Sequence, residues 1–164
     1  MYDASVPPMV RTLQNLSNII DKAVAQAAAD KIDLATLLDA RLAPDMFPFT
    51  RQIQIATDAA KGTAARLAGH EPPSFPDTEK TFPELKARIA NTIAFMQTVK
   101  AEQFAGAEDR PITLKTPKHA HEFKSGRDFL TNHALPNFYF HVTTAYGLLR
   151  QKGIQIGKKD YLGG

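Results

Sequence analysis

The sequence predicts an all-α protein built on four long helices, with a short extra helix and a loop or small hairpin before the last of them. Three observations carry that expectation. Apolar residues recur at helical spacing in four separate segments, prolines and glycines cluster between those segments, and the helical period gives way to short extended pieces between Gly106 and Arg127. The 164 residues, 43% of them hydrophobic, are the size of one domain, and no internal repeat or low-complexity tract divides them. Residues 1–164 are therefore expected to form a single helical bundle domain.

The first segment places Met9, Leu13, Leu16, Ile20 and Val24 on one helical face, with Arg11, Gln14, Asn15, Asn18 and Lys22 on the other. This predicts an amphipathic helix of about five turns. Ser5 is its expected N-cap, and Pro7 and Pro8 would fall in the first turn, where an amide has no intrahelical partner to lose. Asp33 can cap a short helix reaching Arg41, and Pro44 and Pro48 in "APDMFPF" break the chain. From Pro48 onward Phe49, Ile53, Ala56, Ala60, Ala64 and Leu67 form one stripe whose alanines imply close approach of a neighbouring helix, with Gly69 as the stop. "GHEPPSFPDTEKTFPE" holds four prolines and reads as a connection. It ends in Thr81-x-x-Glu84, a capping-box pattern with Pro83 in the first turn, before Leu85, Ile89, Ile93, Met96 and Val99. "ITLKTPKHAHEF" reads as a loop or hairpin around a Thr-Pro turn. The last long helix spans about Asp128 to Lys152, with a kink expected near Leu135 from Pro136 and a stop at Gly153.

Composition removes several classes of chemistry. The formal charge of +3 is mild and its lysines and arginines are spread out, so nucleic acid is not an expected partner. The absence of cysteine excludes disulfides, thiolate nucleophiles and Cys-bound metal sites. "MYDASVPPMV" has no basic region followed by an apolar one, and no stretch reaches about 18 apolar residues, so a soluble, cytoplasmic protein and no membrane partner are expected. "IGKK" lacks the glycine-rich loop and following Ser or Thr of a phosphate loop, and there is no Gly-x-Ser-x-Gly elbow.

The last helix holds one polar residue in an otherwise apolar sector: His141, among Leu130, Ala134, Phe138, Ala145 and Leu148. Three roles are open to it: a buried histidine hydrogen-bonded by a neighbouring helix, a ligand-binding or catalytic base, or a metal ligand. At 100° and 1.5 Å per residue, His133 lies roughly 80° around and about 12 Å along the axis, too far to share an ion with His141. His119-x-His121 would project two imidazoles to one side of an extended piece, but no third ligand is evident and Lys118 and Lys124 flank it. Gln52 lies about 75° off the apolar stripe of its helix, within reach of the interior, and is the expected partner of His141. Gln54 and Asp58 point to the opposite face and are expected to be solvated or at an interface.

The Gln52-Ile-Gln-Ile-Ala56 run after "DMFPF", the segment from His141 to Gly147 and the ending "GIQIGKKDYLG" resemble the DinB/YfiT-like four-helix bundle superfamily, in a subfamily catalogued as a domain of unknown function. The resemblance implies a DinB-type four-helix bundle. In enzymatic members it implies a thiol-dependent transferase or isomerase with a divalent metal held by three histidines, one early in the second helix and two as His-x3-His in the fourth, near a glycine. His141 matches the first histidine of the pair and Gly147 the glycine. Ala145 stands where the second would be, and the early second helix offers Gln52 and Gln54 instead of histidine. Glutamine is a poor substitute for imidazole toward zinc or nickel, so the expectation is no metal and no cofactor.

The expected function is a metal-free binding or assembly module with a small-molecule ligand in the bundle. The alternative is an enzyme of the superfamily's thiol-transfer class, with zinc or nickel as the metal, or with His141 as a base near Gln52 and Tyr146. Candidate ligand-binding residues are His141, Gln52, Tyr146 and His133. Aromatic and apolar residues on nearly every side of the last helix also predict a homodimer with Tyr139 and Tyr146 at or near the interface.

Overall fold

The computed structural model describes residues 1–115 and 120–164 and is mainly helical. In chain order its elements are α1 (Tyr2–Asp30), α2 (Leu34–Leu38), α3 (Phe49–Leu67), α4 (Phe82–Thr98), a 3₁₀ turn (Ala101–Phe104), β1 (Ile112–Lys115), β2 (Ala120–Phe123), α5 (Gly126–Phe129), a π turn (Leu130–Ala134), α6 (Leu135–Gln151) and α7 (Lys158–Leu162). Helix α3 packs on α1, α4 and α6, and α1 also packs on α4 and α6. Every residue of the Phe49-to-Leu67 stripe is fully buried. The alanines at 56, 60 and 64 bring backbones close, while Phe49, tilted against Phe82 at 5.6 Å between ring centres, supplies bulk at one end.

Local chemistry sets most element ends. Asp33 accepts a hydrogen bond from the Ala35 amide at 3.0 Å and starts α2, which stops at Leu38 and does not reach Arg41. Thr81 and Glu84 form the reciprocal capping box at the start of α4. After α3, Gly69 adopts a left-handed φ of 81°, and the Arg110 guanidinium donates to the Leu67 carbonyl at 2.8 Å, occupying an end the helix leaves open.

Helix α1 departs from expectation. It begins at Tyr2, runs about eight turns, and contains Pro7 and Pro8 in its interior. Ser5 is not the cap: its hydroxyl lies inside the helix and donates to the Met1 carbonyl at 2.9 Å. The two prolines withhold amides from the carbonyls of Asp3 and Ala4, but both residues are exposed, so water can satisfy them. Tyr2, edge-on to Phe104 at 5.3 Å, anchors the extra turn.

The extended pieces form a hairpin, β1 antiparallel to β2 with Ile112 opposite Phe123 and Lys115 opposite Ala120. The Thr-Pro turn and His119 lie outside the described residues. Pro136 has a consequence other than a simple kink. The chain widens into a π turn over Leu130–Ala134, in which the Leu135 amide bonds the Leu130 carbonyl five residues back, and α6 then restarts with Pro136 in its first turn. Widening relieves the register in which the proline ring would crowd the carbonyl four residues earlier. Beyond α6, Ile154 and Ile156 are buried and α7 lies on α1, so that Asn15 is not on a solvated face but buried, donating to the Tyr161 carbonyl at 3.1 Å, while Lys22 pairs with Asp160. Among the described residues no helix is long and apolar enough to cross a membrane.

Candidate functional site

Gln52 sits in the first turn of α3 and His141 in the second turn of α6, and the packing of these helices brings them together. The Gln52 amide nitrogen donates to the Phe47 carbonyl at 2.9 Å, so its oxygen faces the interior, 2.6 Å from His141 Nδ1. A carbonyl oxygen can only accept, so Nδ1 carries the proton and Nε2 keeps its lone pair: backbone, carboxamide and imidazole fix one neutral tautomer. Burial holds the imidazole pKa below its ordinary 6.5, and the charge of Arg51 lowers it further. Among the described residues no buried side-chain nitrogen or oxygen lacks a partner.

The donor set does not fit the metal that the superfamily resemblance implies. One turn beyond His141, Ala145 is fully buried and has no donor atom, Gln52 already uses both ends of its amide, and Nδ1 is committed to Gln52. Among the described residues no three His, Cys, Asp or Glu side chains are grouped to hold an ion.

Tyr146 and His133 are not part of this pair. Tyr146, five residues on, projects about 140° around α6 and packs edge-on against Tyr161 of α7, 5.8 Å between ring centres. His133 belongs to the π turn and lies against Phe123 and Phe129, with ring centres 5.3 and 5.9 Å away. Burial pushes its pKa down, reinforced by His121 and Arg66. His133 lines a cavity of about 480 Å³ between α3 and the start of α6, with Leu114, Phe129 and Pro72 among its apolar lining.

A second polar centre was not legible in the sequence. Arg88 projects from α4 with its side chain 1% exposed and all three of its nitrogens hydrogen-bonded. Nε donates to Thr57 at 2.7 Å, Nη1 to the Pro76 carbonyl and Glu79, and Nη2 to Asp58 at 2.7 Å, while Asp77 forms an ion pair with Nη2 at 2.9 Å. Lys61, also buried, binds Asp58 at 2.6 Å and lies over the Phe75 ring, and Arg51 reaches Asp77 and Gln54. Gln54 is therefore neither solvated nor at an interface: it is 5% exposed and donates to Glu79 at 2.9 Å. Asp58 is half-exposed and acts as the shared acceptor of two buried cations. The available signal was a cation at position 88 in the helical sector of Leu85, Ile89 and Thr92.

Comparison with known proteins agrees with this architecture. A family model described as "Domain of unknown function (DUF1993)" matches residues 1–162. No curated protein matches. The crystal structure of a DinB family member protein from Shewanella denitrificans is 42% identical over 99% of this chain and 92% of that chain, with a TM-score of 0.90. Matched over nearly its whole length and folded like a DinB family member, the chain belongs to the DUF1993 family, a DinB-like group.

Proposed function

We propose that this protein is a four-helix bundle of DinB/YfiT-like type acting as a metal-independent binding module, with a small molecule in the cavity between α3 and α6. The His141–Gln52 pair carries the reading. Where superfamily enzymes gather imidazoles around an ion, a carboxamide here accepts a hydrogen bond from the one imidazole, and Ala145 offers nothing. The test is zinc and nickel addition to tag-free protein, followed by long-range ¹H–¹⁵N NMR of the histidine rings. His141 is expected to keep its Nδ1 proton, to ignore both metals and to protonate below pH 6.5. Because the unfolded chain takes up this proton first, the histidine contributes full stability above pH 6.5, lost as the pH falls through the lower folded value. One equivalent of tightly bound metal, abolished in His141→Ala, would overturn the metal-independent reading and favour the thiol-dependent transferase or isomerase alternative.

The exposed face of α6 supports a second element, assembly. Phe140 and Leu42 are 53% and 57% exposed and share a shallow apolar hollow with Tyr139 and Gly147. We propose that two copies meet there, with Tyr139 at the contact and Tyr146 set back under Tyr161. Light scattering at micromolar concentration is expected to give the mass of two chains, falling to one in Phe140→Glu. A single-chain mass for the unaltered protein refutes the dimer.

A further inference from the structure

The cavity between α3 and the π turn carries an imbalance of charge. Arg51, Lys61, Arg66 and Lys115 all line it, against the single carboxylate of Asp58. Arg51 and Lys61 have their carboxylates already. Arg66 does not. Its half-buried guanidinium makes no hydrogen bond or ion pair among the described residues, and Glu71 acts on it only through space. Lys115 at the rim is likewise unpaired among them. A guanidinium that has lost part of its hydration without gaining a partner is costly, and a bound anion would return what burial removed.

The position of the group is built into α3. Arg66 folds back over Gly62, one turn earlier, and a Cβ at Gly62 would overlap its Nη1. Around it the wall divides into two kinds of surface. Leu114, Phe129 and Pro72 offer an apolar side, while Asn137 and the depressed, uncharged His133 offer hydrogen bonds that suit an anion's remaining oxygens. We infer that this cavity binds an organic anion, a small molecule with a carboxylate or phosphate group on an apolar body, and that Arg66 grips the anionic group as a two-pronged donor. The inference rests on the binding-module reading and names its ligand class.

Calorimetry of the full chain with benzoate, phenyl phosphate and the neutral benzyl alcohol, alongside the NMR signal of Arg66 Nε–H, tests it. At least one anion is expected to bind at least tenfold more tightly than benzyl alcohol and to shift the Arg66 signal, and the better of the two identifies the group preferred. Arg66→Gln is expected to raise the anion Kd at least tenfold and leave benzyl alcohol unchanged. Gly62→Ala should weaken the anion similarly while the melting temperature holds or rises, because alanine suits a helix interior better than glycine and only the guanidinium must move. Equal binding of anion and alcohol, or anion binding indifferent to Arg66→Gln, overturns the anion site and leaves the cavity reading standing. No binding by any of the three overturns both.

Discussion

Replacing Arg88 with methionine is expected to lower unfolding stability by about 3–5 kcal/mol, the range for removing one partner of a buried ionic group. Methionine can fill much of the volume, so lost packing is not the main cause. Three carboxylates, Asp58, Asp77 and Glu79, would face one another with their shared cation gone, and the Thr57 hydroxyl and Pro76 carbonyl would lose their donor. Arg88→Lys should recover only part of the loss, since an ammonium has three donors where the guanidinium makes four hydrogen bonds. Urea denaturation reads the effect, and a change below about 1 kcal/mol would refute it. The same centre sets an acid limit. Burial alone would raise the Glu79 carboxyl, but hydrogen bonds from Gln54 and Arg88 outweigh it and hold the pKa below its ordinary 4.5. A carboxylate lowered in this way contributes fully above pH 4.5, and its contribution is lost as the pH falls through the folded value.

Gly126→Ala is expected to cost about 2–3 kcal/mol, at the upper end for overpacking, because the added carbon would overlap a backbone atom. At Gly126 a Cβ would overlap the Ala107 carbonyl oxygen and stand 2.9 Å from Leu67 Cδ2. The adjoining Arg127 amide ties the same backbone to Glu108, so relieving the clash means parting α5 from the Ala107–Glu108 segment and straining that hydrogen bond. A drop in melting temperature of roughly 5–10 °C should follow for a chain of this size. A melt within a degree of the unaltered protein would show that the segment yields freely. The contrast with Gly62→Ala is instructive: the same added methyl meets a swinging guanidinium at one glycine and fixed main chain at the other.

The apolar period was enough to read α3 and α4, because the stripe from Phe49 to Leu67 and the Thr81–Glu84 box are local. The meeting of Gln52 and His141 followed from helical angles, since both project inward from neighbouring helices. Arg88 escaped for the opposite reason. Its acceptors Pro76, Asp77 and Glu79 lie in a proline-rich connection whose path no periodicity describes, so a buried cation and a solvated one look alike in the sequence. The π turn was hidden too: Pro136 marked an interruption, but whether the helix bends or widens depends on what packs beside it. The early start of α1 was obscured because prolines at 7 and 8 read most simply as a beginning.

The bond from Asn15 to the Tyr161 carbonyl joins residues 146 positions apart. Helix α1, although made early on the ribosome, therefore cannot finish its packing until almost the last of these residues has emerged. The entropy of closing so long a loop grows only as the logarithm of its length, but the search for that contact is slow compared with the closing of a neighbouring turn. During synthesis the face of α1 around Asn15 and Lys22 therefore stays uncovered until α7 arrives to close it.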